Sequence, residues 1–233
     1  MYKILVAGPE EIFPGCPIDV NAETVDFFTT DKSQCFNSLN PADVASCDGV
    51  IVPGGVPDVS PSFWNEEIAG SHDVDVDMDR KQLAMIDQAV QLHKPILGIC
   101  RGHQLACVYF GATLIQDIKT GDHHRYVPGE PRFHRIYNIP GTFMHDLYGD
   151  SFKGNSGHHQ ALRKIPDCLR VTQLWCQDDQ LDKYIQMAQE GTLREGTDEC
   201  IIEGVYHTDY PFIGIQWHPE LRGEMYCKRI DLL

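Results

Sequence analysis

The stretch from Arg80 to Gly111 limits the fold more than any other part of the sequence. Leu83, Ile86 and Val90 recur at i, i+3 and i+7, so Arg80 to His93 predicts an amphipathic helix. Lys94-Pro95 ends it, and the apolar run Pro95–Ile99 predicts a strand. Gly102 to Phe110 is apolar almost all round, which predicts a buried helix with Gly111 as its C-terminal cap. Helix, strand and helix in such close succession call for a parallel sheet with right-handed crossovers and helices on both faces.

Further short apolar runs bounded by Gly, Pro or Asp predict strands at Ile4–Ala7, Gly49–Val52, Leu169–Leu174, Ile201–Tyr206 and Phe212–Gln216. The first two, like Pro95–Ile99, are nearly continuous, as in parallel strands buried on both faces. From about residue 130 the elements are shorter and richer in strand, which suggests an added antiparallel layer. The segment between Gly8 and Asp48 is broken by Pro9, Pro14 and Pro17, so its only predicted helix is short, Asn21 to Phe28. A polar stretch from Gln177 to Glu199 holds a predicted helix at Leu181–Glu190. No linker, repeat or low-complexity tract interrupts residues 1–233, and one domain is expected.

The formal net charge of −15 argues against a nucleic-acid groove and an anionic membrane surface. No run approaches the roughly 20 apolar residues of a membrane span. Met1-Tyr2-Lys3 passes directly into a short strand-like run rather than a signal core. The nine cysteines form no Cys-x-x-Cys pair, so reduced thiols in a cytoplasmic setting are expected.

Three motifs carry chemistry. Gly98-Ile99-Cys100-Arg101-Gly102 joins a strand to a helix, and its small residues permit a sharp turn that would hold Cys100 strained at the sheet edge. The backbone N–H groups of a helix start favour an anionic sulfur there. Alone, the pattern fits a buried structural cysteine equally well. Gln216-Trp217-His218-Pro219-Glu220 closes another strand with an imidazole suited to proton transfer near neutral pH and a carboxylate to orient it. A strand-end histidine with a solvated glutamate is its plainer reading. Val52-Pro53-Gly54-Gly55 would let a backbone N–H approach a ligand, and with the Arg101 N–H it would form an oxyanion hole.

In this order the motifs resemble class I glutamine amidotransferases, over a span from about Cys47 to Glu220. The details resemble the γ-glutamyl hydrolase-like branch: Pro53-Gly54-Gly55 with Asp58-Val59-Ser60-Pro61, Asp79-Arg80 opening a helix, Cys100-Arg101-Gly102 with Gln104, and Asn155-Ser156-Gly157-His158-His159-Gln160. The resemblance implies an α/β, flavodoxin-like three-layer sandwich with a mostly parallel sheet and a small antiparallel layer. It implies Cys100 as nucleophile, His218 as base and acid, Glu220 as orienting carboxylate, and backbone donors from Gly55 and Arg101. It also implies substrate contacts from Gln104, His158 and His159, no cofactor, and a small γ-glutamyl substrate. A homodimer is left open. The implied reaction is hydrolysis of a γ-glutamyl amide through a thioester. Its rivals are a glutaminase subunit feeding ammonia to a synthetase and a catalytically silent binding protein.

The remaining residues receive plainer readings. His123, His124 and His134 bring a metal to mind, but their spacing fits no standard ligand pattern, so none is expected. Asp73, Asp75, Asp77 and Asp79 alternate like a calcium loop but lack its glycine and closing glutamate, and read as a solvated loop ending in a helix cap. Arg101 has the fork to bind a substrate carboxylate. The 178–198 stretch reads as a surface excursion, a lid or a dimer contact.

Overall fold

A computed structural model describes residues 2–9, 35–125 and 132–219. The predicted helix at Asn21 to Phe28 and the residue Glu220 lie outside them.

The strands in chain order are β1 (Ile4–Val6), β2 (Cys35–Asn37), β3 (Gly49–Val52), β4 (Ile96–Ile99), β5 (Thr113–Ile115), β6 (Arg132–Asn138), β7 (Ser151–Ser156), β8 (Ala161–Lys164), β9 (Leu169–Cys176), β10 (Cys200–His207) and β11 (Phe212–Ile215). The helices are α1 (Val76–Gln91), α2 (Arg101–Tyr109), α3 (Gly121–His124), α4 (Phe143–Tyr148) and α5 (Leu181–Gln189).

Nine strands form one sheet in the order β2-β1-β3-β4-β11-β10-β9-β6-β7. From β2 to β11 all neighbours are parallel, in the 2-1-3-4-5 order of flavodoxin-like sheets. Beyond β11 the pairings turn antiparallel, so the expected antiparallel strands largely extend the same sheet. Only β5 and β8 form a separate antiparallel pair among the described residues.

Alternation along the buried strands divides the core. Leu5, Val50, Val52, Ile96 and Phe212 face one cluster with the apolar sides of α1, α2 and α5. Ile4, Val6, Ile51, Leu97, Ile99 and Ile215 face a second, under α4. That two-sided burial is why these strands have almost no polar positions.

Helix α1 begins four residues before the predicted Arg80. Asp75 is its N-cap and accepts from the Asp77 and Met78 N–H groups, a bond typically worth about 1 kcal/mol. Asp79 therefore sits inside the first helical turn and is fully buried, which corrects its reading as a solvated cap. Gly111 has φ +104° after α2, as its place as a cap requires. The 178–198 excursion is also corrected. Tyr184 and Ala188 of α5 are buried in the main cluster, with Ile185 and Met187 packed beside them, so this helix is a cover for the sheet. No described helix is long and apolar enough to cross a membrane.

Candidate active site

Three adjacent parallel strands deliver three segments to one edge of the sheet. β3 leads into Pro53-Gly54-Gly55, β4 into Cys100 and β11 into Trp217-His218. The registers Val52↔Gly98 and Ile215↔Ile99 set their ends level. Carboxyl ends of parallel strands are where open α/β sheets bind ligands.

Cys100 stands between β4 and α2 with φ 50° and ψ −110°, a backbone state that costs a non-glycine residue about 1–3 kcal/mol. Neighbouring backbone holds it there: its N–H donates to Ile215 O at 2.8 Å, and its carbonyl accepts from the Gln104 N–H at 3.1 Å. Gly102 admits the close approach of α2 to β3, since a Cβ there would lie 1.9 Å from the Val52 carbonyl oxygen. The small residues of the motif are thus required by backbone contact.

The His218 imidazole reaches the same spot from β11. A Cβ placed on Gly54 would be 2.8 Å from His218 Cε1 and 3.4 Å from Cys100 Cβ. Imidazole and thiol carbon therefore converge over one glycine of the β3 turn. Asn155, the fifth residue of β7, fixes the His218 peptide from the far side. Its Oδ1 accepts from the His218 N–H at 2.8 Å and its Nδ2 donates to the His218 carbonyl at 2.7 Å. No local pattern announces this amide pair, because the partners are 63 residues apart.

Gly55 lies in the turn after β3 and Arg101 opens α2, so their N–H groups belong to the two segments that meet at Cys100. The Arg101 side chain has another task. Its guanidinium is buried and bonds to Asp79 Oδ1, Gln82 Oε1 and the Pro57 carbonyl. Burial pushes the Asp79 carboxyl up and the Arg101 guanidinium down, with their attraction opposing both shifts. Gln82 continues the chain of bonds to the Ala7 carbonyl at 2.7 Å. This fork is engaged inside the protein, which corrects the reading of it as a receptor for a substrate carboxylate.

The three residues expected at the substrate are placed differently. The Gln104 Nε2 donates to Gln160 O and Gln216 Oε1, both at 3.0 Å, within the core. His158 is buried, with Nδ1 2.9 Å from Gln160 O and Nε2 directed toward Glu203. His159 reaches the surface in part. Its Nε2 pairs with Asp58 at 2.9 Å, and its ring stacks on His72. The Asp58 hydrogen bond, outweighing burial, raises the His159 imidazole above its ordinary value. Gln160 also accepts from the Val59 N–H and donates to Ser71, so the 155–160 segment ties the 53–60 turn to the sheet.

Residues 37–220 match the Peptidase C26 family. The protein NtpR of Enterococcus hirae is 30% identical over 183 residues, which cover 75% of this chain and 67% of that protein. A gamma-glutamyl-gamma-aminobutyrate hydrolase of Escherichia coli O157:H7 is 25% identical over 184 residues, 77% of this chain and 66% of that protein. Among solved structures, the glutaminase domain of Trypanosoma brucei CTPS with bound acivicin has the same fold, with a TM-score of 0.61 at 14% identity over 95% of this chain and 87% of that one. The chain belongs to the Peptidase C26 family of class I glutamine amidotransferase-like proteins.

Proposed function

We propose that this protein hydrolyses the γ-glutamyl amide bond of a small γ-glutamyl compound through a covalent thioester. The observation that carries the reading is the strained Cys100 elbow with the His218 ring converging on it over Gly54. Family membership and the likeness to a γ-glutamyl hydrolase support it.

In this mechanism the Cys100 thiolate attacks the side-chain carbonyl carbon and its π electrons move to oxygen. The oxyanion is met by the backbone N–H groups of Gly55 and Arg101. His218, as imidazolium, gives its proton to the amine nitrogen as the C–N bond breaks. It then takes a proton from water, which attacks the thioester carbonyl and releases glutamate and the thiolate. Glu220 is the carboxylate assigned to orient His218. Of the predicted substrate contacts, His159 at the Asp58 turn is retained.

Replacing Cys100 by Ala abolishes glutamate release from a panel of γ-glutamyl amides and leaves the circular dichroism spectrum unchanged. Comparable turnover by that variant overturns the assignment. A second reading, a glutaminase working for a separate synthetase, is favoured by the likeness to the glutamine-hydrolysing component of a GMP synthase and to a CTP synthase. Cleavage of other γ-glutamyl amines by the isolated protein with negligible hydrolysis of glutamine overturns this second reading.

A further inference from the structure

Away from Cys100, the antiparallel half of the sheet encloses a carboxylate and three imidazoles. Glu203 of β10 has no solvent exposure. Strand register jumps across it, from Ile202↔Leu174 to Gly204↔Gln173, so Glu203 is the extra residue of a β-bulge. Bulges re-aim a side chain at a cost in ladder bonding. Here three imidazole nitrogens surround the carboxylate oxygen Oε1: His134 Nε2 from β6 at 3.0 Å, His124 Nδ1 from α3 at 3.7 Å and His158 Nε2 from the turn after β7 at 3.7 Å. All three rings are buried.

The polar accounting inside this pocket does not close. Both Glu203 oxygens, both ring nitrogens of His124 and of His134, and His158 Nε2 make no hydrogen bond of regular geometry, although His134 Nε2 lies 3.0 Å from Glu203 Oε1. A buried carboxylate without compensation is expensive. His158 makes the conflict specific. Its Nδ1 faces the Gln160 carbonyl, which only accepts, so the ring proton belongs on Nδ1. In the neutral ring the Nε2 lone pair then points at the Glu203 carboxylate. Two electron-rich atoms in that arrangement need a positive charge between them, either a second ring proton or a metal ion. An imidazole that donates one N–H to a carbonyl and presents the other nitrogen is also the usual posture of a metal ligand.

Distances agree with a small cation. The ligand atoms of His124, His158 and Glu203 all lie within 4.8 Å of one another. With metal–ligand bonds of about 2.0–2.1 Å, tetrahedral ligand atoms stand about 3.3 Å apart. The His124 and His158 nitrogens both stand 3.7 Å from Glu203 Oε1, within about 0.4 Å of that value. We propose that His124, His158 and Glu203 bind one divalent transition-metal ion of the zinc class, in a buried site whose fourth position is taken by a solvent molecule and where His134 sits against the same carboxylate oxygen. Imidazole and carboxylate donors suit such an ion. It would join α3, the 155–160 segment and β10, and so brace the strand whose Asn155 holds His218. Residues 124, 158 and 203 come together only through the sheet, which is why the chain's histidine spacing showed no ligand pattern.

The test is metal content of the full chain. Protein stripped by a strong chelator, incubated with excess Zn²⁺ and gel-filtered should retain one equivalent by mass spectrometry. Co²⁺ should give the intense visible absorption of a tetrahedral site at one equivalent, and should quench Trp175, whose ring lies 4.9 Å from His124. H124A and E203Q should each retain less than about a tenth of an equivalent. The Cys100→Ala variant should keep the full equivalent, which separates this site from the thiol–imidazole pair and its outcome from that of the proposed reaction. Retention below a tenth of an equivalent by the wild-type protein overturns the proposal without recourse to any variant. So does a full equivalent in E203Q, or loss of the metal in Cys100→Ala.

Discussion

Asp79 and Arg101 form a buried ion pair beside Cys100, and removing one partner leaves the other charge stranded. Asp79→Ala should destabilise the fold by about 3–5 kcal/mol, measured by urea denaturation; a loss under 1 kcal/mol would show the pair to be replaceable by solvent. Gly54 tests the site rather than the fold. Its missing Cβ is the space the His218 ring occupies at 2.8 Å, so Gly54→Ala should displace the imidazole and lower kcat by about a hundredfold. The melting temperature should change little, because the turn carrying Gly54 lies at the sheet edge. His159 adds a pH-dependent contribution. Its folded value is raised above 6.5, so the stability from its Asp58 pair is fully present below pH 6.5 and is lost as pH rises through the folded value. The gap in melting temperature between wild type and His159→Gln should therefore be largest in acid and shrink in alkali; a constant gap would rule out titration of this ring.

At the scale of elements, the site is made by three strand ends and corrected by one side-chain pair. β3, β4 and β11 were legible because burial on both faces leaves continuous apolar runs, and their ends carry the Gly, Cys and His motifs in plain order. The edge strand β7 and its neighbour β6, with sequences Ser-Phe-Lys-Gly-Asn-Ser and Arg-Phe-His-Arg-Ile-Tyr-Asn, were not legible as individual strands, because half-exposed strands mix polar and apolar residues. The three-residue strands β2 and β5 offer too little pattern to register. The roles of Gln104 and Arg101 were obscured differently. Their partners Gln216 and Asp79 lie 112 and 22 residues away, and only the folded sheet shows that these amides and charges meet inside the core. Asn155 belongs to the same class, and it makes a prediction at this scale. Asn155→Ala should free the His218 peptide while leaving the β6–β7 ladder in place, so kcat should fall by about ten- to a hundredfold with KM nearly constant. A fall in melting temperature with unchanged kcat would assign Asn155 to the sheet alone.

Across the whole molecule the sheet changes character between β11 and β10, parallel on the side of the chemistry and antiparallel on the side of the Glu203 cluster. The core does not divide there. One apolar cluster runs from Leu5, Val50 and Val52 through Leu105 to Val171, Leu174, Tyr184 and Val205, so helices α1, α2 and α5 share a continuous buried face. Interiors packed this closely transmit the loss of a side chain to their neighbours. Leu174 of β9 is fully buried, and Leu174→Ala should cost about 2–5 kcal/mol. If the two halves unfold together, the denaturation midpoint shifts equally by far-UV circular dichroism and by alkylation of Cys100, which lies on the other side of the strand-direction change. A midpoint for Cys100 exposure that stays at the wild-type position would show that the parallel half unfolds on its own, and that the apolar face spanning the sheet does not couple the two.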